Sequence, residues 1–279
     1  MKLLFFIFIV LSQIGFSQNF LNGSINNSIN GKPIEFANIY NIDRKLGTYS
    51  KLDGSFKLKY YNHSDKVVIS CVGYEPLNLN IDSLIKLNKI EIKLEPIIIE
   101  LNQFVVSSEI SYSDIGFHKR KHNANHSSRI LGIEYATLIK DDKNSGKFIE
   151  QIILSKVKKS KGKIRIHLYD VDKNGLPHKD LIPNNLIIDT KEYNKKKEIV
   201  IDVSKHYIPL NMKGVFIGIE WVESVNKKEK ILARFHLTKK NETITYTKYN
   251  LKEKKWREVT TNNMGIGSLN LCVGLKIRN

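Results

Sequence analysis

Apolar residues recur at every second place through most of this chain, and nowhere do they hold a long i, i+3, i+4, i+7 spacing. Lys163-Ile164-Arg165-Ile166-His167-Leu168-Tyr169 is the clearest case. Three aliphatics fall on one face, and the other carries polar groups and a tyrosine, the pattern of a half-buried strand whose polar face meets water. Comparable runs are Leu21 to Ile25, Ile34 to Tyr40, Ser55 to Lys59, Val67 to Val72, Ile90 to Leu94 and Phe104 to Ser107 in the first part of the chain. Further on they are Ile130 to Lys140, Phe148 to Val157, Lys197 to Val203, Gly214 to Val222, Ile231 to Leu237, Glu242 to Tyr249 and Leu269 to Ile277. Turn chemistry separates them: Asn30-Gly31, Asp53-Gly54, Asn144-Ser145-Gly146 and Asn174-Gly175. So many short strands predict an all-β protein, and they are too many for one sandwich, so two β-sandwich domains are expected. The polar stretch Ser107 to Ser128, with Lys119-Arg120-Lys121, lacks alternation and reads as a linker. The expected division is 18–108 for the first sandwich, 109–128 for the linker and 129–279 for the larger second one.

The amino terminus adds a compartment. Met1-Lys2 precedes nine apolar residues, Leu3 to Leu11, and Gly15 and Ser17 stand at the −3 and −1 places of a cut before Gln18. This describes a signal peptide over residues 1–17, too short to span a bilayer. The expectation is a chain exported to the periplasm, the outer-membrane surface or the medium, with no transmembrane anchor once the leader is cut.

Composition removes several classes. Hydrophobic residues make up 41% of the 279, too many for a disordered polyelectrolyte. Two cysteines, Cys71 and Cys272, exclude a disulfide scaffold and a cysteine zinc site. Each lies in an apolar run, so two separately buried thiols are expected. The formal net charge of +17 is uneven: residues 18–108 carry a net +1 and residues 109–279 a net +15. Only seven of the 45 basic residues are Arg, and base readout favours Arg. The second half is therefore expected to lean on an anionic envelope surface, with nucleic acid not expected as partner.

Residues 19–107 resemble the carboxypeptidase-regulatory-like domain, a transthyretin-like Greek-key sandwich common in secreted proteins and outer-membrane receptors of Bacteroidetes. The resemblance rests on Asn22-Gly23-Ser24-Ile25, Gly31-Lys32-Pro33-Ile34, Ala37-Asn38-Ile39-Tyr40, Gly47-Thr48, Asp53-Gly54-Ser55-Phe56-Lys57-Leu58, Val72-Gly73-Tyr74 and Phe104-Val105-Val106. Asp53-Gly54 supplies a φ > 0 turn, and Gly73 lets the backbone pass closely before Tyr74. The second domain resembles the jelly-roll-like sandwich that follows this module in such proteins, through Ile164 to Asp172, Gly175-Leu176-Pro177, Asp180-Leu181, Ile201 to Ser204 and Val215 to Trp221. In metallocarboxypeptidases the first module is an accessory domain, and no histidine here is followed at the third place by Glu, so peptidase activity is not expected.

Candidate chemistry is sparse. Asp170-x-Asp172-x-Asn174-Gly175 forms the first half of a calcium loop, but Leu181 stands where the bidentate Glu belongs, and only Asp180 is near. His118, His122 and His126 recur every four residues within the linker-like segment, where solvated loop histidines are expected. Nucleophile elbows and phosphate loops are absent from the sequence. Trp221, Trp256, Tyr169, Tyr207 and Tyr246 are candidates for an aromatic sugar platform. Trp221 shares the alternation of a core strand, whereas Trp256 sits between Lys255 and Arg257. Trp256, Tyr169, His167 and Arg165 are therefore the ligand-binding candidates, and no cofactor is expected. These features describe an exported, non-enzymatic, envelope-associated binding protein for a glycan or surface. A structural partner of an outer-membrane protein is the alternative, and a hydrolase with an unrecognised site the third.

Overall fold

The computed structural model describes residues 19–97, 111–119, 124–159, 161–223, 233–239, 243–259 and 269–279. The leader 1–17, the run Phe104 to Ser107 and His122 lie outside them. The described chain is all β apart from one five-residue helix and short 3-10 turns.

The first unit comprises β1 (Asn19–Asn27), β2 (Asn38–Asn41), β3 (Leu46–Tyr49), β4 (Ser55–Tyr60), β5 (Lys66–Ser70), β6 (Leu77–Asn80), α1 (Ile81–Ile85) and β7 (Glu91–Leu94). One sheet has the order β4-β1-β7, with β1 antiparallel to β4 and parallel to β7; the other has the order β3-β2-β5-β6. Alternation fills the space between them. Leu21, Ile25, Phe56 and Leu58 from one sheet meet Ile39, Val67 and Ile69 from the other, and Ile81 and Leu84 of α1 close the end. The Asp53-Gly54 turn is as expected, with φ of +75° at Gly54.

The second unit comprises β8 (Tyr112–Gly116), β9 (Asn125–His126), β10 (Ile133–Ile139), β11 (Phe148–Ser155), β12 (Lys163–Val171), β13 (Pro177–Asp180), β14 (Ile187–Asp189), β15 (Glu198–Asp202), β16 (Ile208–Pro209), β17 (Val215–Trp221), β18 (Phe235–Lys239), β19 (Thr245–Tyr249), β20 (Glu253–Glu258), β21 (Leu269–Leu271) and β22 (Val273–Arg278). A seven-stranded sheet runs β13-β12-β17-β10-β19-β20 with β14 on β12, and a five-stranded sheet runs β15-β11-β22-β8 with β16 on β11. Ile164, Ile166, Leu168, Ile217 and Ile219 of the first pack on Ile152, Leu154, Ile199, Leu275 and Ile277 of the second. Trp221 lies in this core as expected, its Nε1 donating to the Ala233 carbonyl.

The segment 109–128, expected to be a linker, is not one throughout. Tyr112–Gly116 is an antiparallel edge strand on β22, and Asn125–His126 pairs with Phe235 and His236. The sequence hides β8 because a one-sided edge strand needs only one core residue, here Ile115.

The two sandwiches are docked face to face, which the alternation of β12 alone could not disclose. All four residues of β2 are buried: Ile39 points into its own core, while Asn38 Nδ2 donates to the Asn250 carbonyl and the Tyr40 hydroxyl to that of Lys252. On the other side Arg165, His167 and Tyr169 are 4–6% exposed. Their face of β12 was expected to meet water; instead Arg165 meets Phe36 and Tyr49 of the first sandwich, while Asp180, Lys248 and Trp256 cover His167 and Tyr169. Phe36, Tyr49, Val222 and Leu251 form an apolar cluster across the seam, and Lys163 Nζ reaches Glu35 Oε1 at 2.9 Å.

Candidate functional site

The seam holds a buried ionic cluster beneath a cleft. Pairing of β10 with β17 sets Glu134 directly opposite Glu220, two carboxylates with no exposed surface. Like charges so placed repel, and three cations on the same face compensate. Arg165 Nη1 donates to Glu220 Oε2 at 2.9 Å, Lys248 Nζ lies 3.2 Å from Glu134 Oε2, and His167 Nε2 lies 3.4 Å from Glu220 Oε2. Asp180, opposite Tyr169 on β13, takes the other imidazole nitrogen at 2.6 Å and also accepts from the amides of Leu168 and Ile182. Asn250 Nδ2 bridges both glutamates at 2.9 and 2.6 Å. The first sandwich completes the set: the Tyr49 hydroxyl donates to Glu220 Oε1, and the Phe36 carbonyl accepts from Arg165 Nη2.

Electrostatics follow from this enclosure. Burial opposes an imidazolium at His167, but Glu134, Asp180 and Glu220 outweigh it and push its pKa up to about 9. Burial likewise opposes the Glu220 carboxylate, yet Arg165 and His167 hold it well below the usual range. Burial, reinforced by Glu220 at Tyr49 and by Glu134 at Tyr169, drives both phenols far up. Asp180, Glu134 and Glu220 thus face His167, Arg165 and Lys248 as three negative groups against three positive ones, a pre-paid arrangement that fixes the floor of the cleft.

Above this floor the cleft encloses about 540 Å³ between Asn38, Cys71 and Tyr74 of the first unit and Tyr169, Lys248 and Lys254 of the second. That is within the range of about 300–1,000 Å³ typical of small-ligand sites. Tyr169 stacks on His167 at 5.1 Å and meets Trp256 edge-on at 5.8 Å, with Lys248 Nζ 4.2 Å from the centre of the Trp256 ring. The four ligand-binding candidates therefore form one continuous run, Arg165, His167, Tyr169 and Trp256. Tyr246 joins them beside Phe216, whereas Tyr207 lies apart against Phe148.

A metal centre fits this set poorly. Ligand atoms of Glu134, His167 and Glu220 lie within 4.8 Å of one another, but their negative charge is already matched by Arg165 and Lys248 and an added cation would face both. Glycosidic acid–base work fits no better, since Glu220 reaches the cleft wall and Glu134 does not. Cys71 lines the cleft, yet burial pushes its thiol up and away from the nucleophilic thiolate; neither Cys71 nor Cys272 is in a disulfide, and both are buried.

The remaining candidates are not assembled into a site. Asp172 Oδ1 accepts from the amides of Asn174 and Leu176, and Asp170 Oδ1 accepts from that of Lys179 and lies 3.3 Å from His178. These are the duties of a hairpin turn, and Asp180 turns instead to His167. His118 is buried near Asp114 after β8, while His126 packs edge-on against Tyr135 and Trp221 from β9, and no helix among the described residues aligns them.

Glu134, Glu220, Tyr49, Lys248 and Asn250 escaped the sequence reading. The available signal was a lone carboxylate inside an otherwise apolar run, as in Val215-Phe216-Ile217-Gly218-Ile219-Glu220-Trp221.

No curated protein matches this chain. Among solved structures, the cysteine protease and lectin-like domains of Cwp84, a surface layer associated protein of Clostridium difficile, share 10% identity over 60% of this chain at a TM-score of 0.39; the chain spans 36% of that structure. A DUF3823 family protein from Bacteroides ovatus shares 10% identity, with coverage of 94% and 97% of the two chains and a TM-score of 0.22. Another from Parabacteroides merdae shares 11%, with coverage of 74% and 98% and a TM-score of 0.21. All three scores describe loose similarity only. Residues 21–106 match the model of the CarboxypepD_reg-like domain, in agreement with the turn and strand motifs of the first sandwich.

Proposed function

We propose that the protein is a non-enzymatic binding protein of the cell envelope, exported by its leader, whose ligand is a glycan seated in the cleft between the two sandwiches. The observation that carries this reading is the cleft itself. Its floor is a neutralised, hydrogen-bonded ionic cluster, and its walls combine tyrosine rings with lysine and amide groups. Rigid aromatic faces take sugar C–H surfaces and fixed polar groups take hydroxyls, at little ordering cost to the protein. The charged residues are occupied by one another, which suits holding a ligand better than transferring protons to it. The net +15 of residues 109–279 favours an acidic glycan.

Calorimetric titration of the mature chain with acidic and neutral oligosaccharides tests this. Binding that raises the melting temperature, weakens at high salt and is lost in Lys254→Ala, a residue of the cleft wall, is expected. An outer-membrane protein that co-purifies stoichiometrically while no sugar shifts the melting temperature would replace this reading with the structural alternative.

A further inference from the structure

A second cleft of about 520 Å³ opens along the same seam, and Val72 and Tyr74 line both. Its other walls include Asn27, Asn184, Asn185, Lys205 and His206. The divider between the clefts is the turn Cys71 to Tyr74, closed by the Tyr74 amide donating to the Cys71 carbonyl. It is pinned to the second sandwich at Gly73, where an added Cβ would stand 2.2 Å from the Pro183 carbonyl oxygen. Tyr74 is also held by Asn27, whose Nδ2 donates to its hydroxyl at 3.2 Å. The two clefts share a polar bridge as well. Asn185 Oδ1, on the wall of the second, accepts from Arg165 Nε, on the floor of the first, at 2.8 Å, and Asn185 Nδ2 donates to the Glu35 carbonyl.

Charge is continuous across the divider. Among the described residues no acidic side chain lines the second cleft, where exposed Lys205 stands beside His206. In the first, Asp180 and Glu220 are each committed to a cation, while Lys254 is exposed at its wall. The seam thus presents tyrosine and amides, with Lys254 on the wall of one cleft and Lys205 on that of the other.

We propose that the two clefts are subsites of one groove, which holds an extended acidic polysaccharide segment running over the Val72–Tyr74 turn, with a sugar ring against Tyr74 and carboxylates near Lys205 and Lys254. The proposal rests on the glycan reading above and adds to it a second subsite and a ligand that must be long. A chain that enters both clefts turns the second binding event into an intramolecular one, so affinity climbs with length without any new kind of contact.

The test titrates the full mature chain with oligogalacturonates from the dimer to the octamer, with cello-oligosaccharides of equal length and polyglutamate as controls. Affinity is expected to rise at least tenfold between the shortest and longest oligogalacturonates. Lys205→Ala and Asn184→Ala, both exposed positions, are expected to remove that rise. Dimers that bind with no gain on lengthening, or a full gain in Lys205→Ala, would overturn the single groove and leave the glycan reading standing. Absence of binding by any sugar would overturn both, and polyglutamate matching the octamer would overturn the polysaccharide class.

Discussion

A Cβ on Gly73 would meet the Pro183 carbonyl oxygen at 2.2 Å, and the residue has φ of +83°. Two independent constraints, a left-handed backbone and a backbone contact across the seam, therefore demand glycine there. Gly73→Ala is expected to lower stability by at least about 1–2 kcal/mol for the backbone alone, and by more as the seam shifts to relieve the contact. A denaturation midpoint equal to the wild type would contradict this. Phe36 shows the same strain without a glycine to absorb it: its φ is 57°, it is buried, and its carbonyl accepts from Arg165. A bulky residue in that conformation persists where its surroundings hold it, here the Arg165 hydrogen bond and an edge-on contact with Tyr49 at 6.4 Å. The Val72-Gly73-Tyr74 motif was legible in the sequence as a close backbone passage, but what it passes belongs to the other sandwich.

Strands whose alternation covers two filled faces were readable, and strands that rest on one residue were not. β11, β12 and β17 coincide with long alternating runs. β8, reading Tyr-Ser-Asp-Ile-Gly, and β20, with its glutamates and lysines, are edge strands dominated by polar residues. Ile115 separates the strand from a linker by experiment. It is 8% exposed and packs in the larger core, so Ile115→Ala is expected to cost about 2–4 kcal/mol, measured by equilibrium denaturation. A change near zero would return residues 112–116 to the linker. The polar face of β12 carries the opposite lesson. Alternation identified Arg165, His167 and Tyr169 as one face, and identified them as ligand-binding candidates, but it could not say whether water or protein covers them.

At the scale of the molecule the seam couples stability to pH. The His167 pKa is raised from an ordinary value near 6.5 to about 9, because Glu134, Asp180 and Glu220 surround it. A raised pKa contributes stability that is fully present below about 6.5 and is lost as pH rises through about 9, a contribution on the order of 3 kcal/mol. The melting temperature of the full chain is expected to fall across that window and to be flat there in His167→Gln, whose stability is lower throughout. A wild-type melting temperature that does not change between these limits would show that the imidazole is neutral in the fold. The depressed Glu220 acts on the other side: its contribution is present above its ordinary value and is lost as pH falls below it.

By itself the sequence determined an all-β chain, the turn chemistry of the first sandwich, two buried thiols and the grouping of Arg165, His167 and Tyr169. These follow from local periodicity and from φ preferences, which neighbouring residues set. Only the tertiary structure decided that Glu134 faces Glu220 across a ladder, that Tyr49 and Phe36 complete their hydrogen bonding from a distant part of the chain, and that two clefts lie along the seam. Strand register joins residues dozens of positions apart and sandwich docking residues more than a hundred apart, and a pattern of period two carries no information about which surface its polar face will meet.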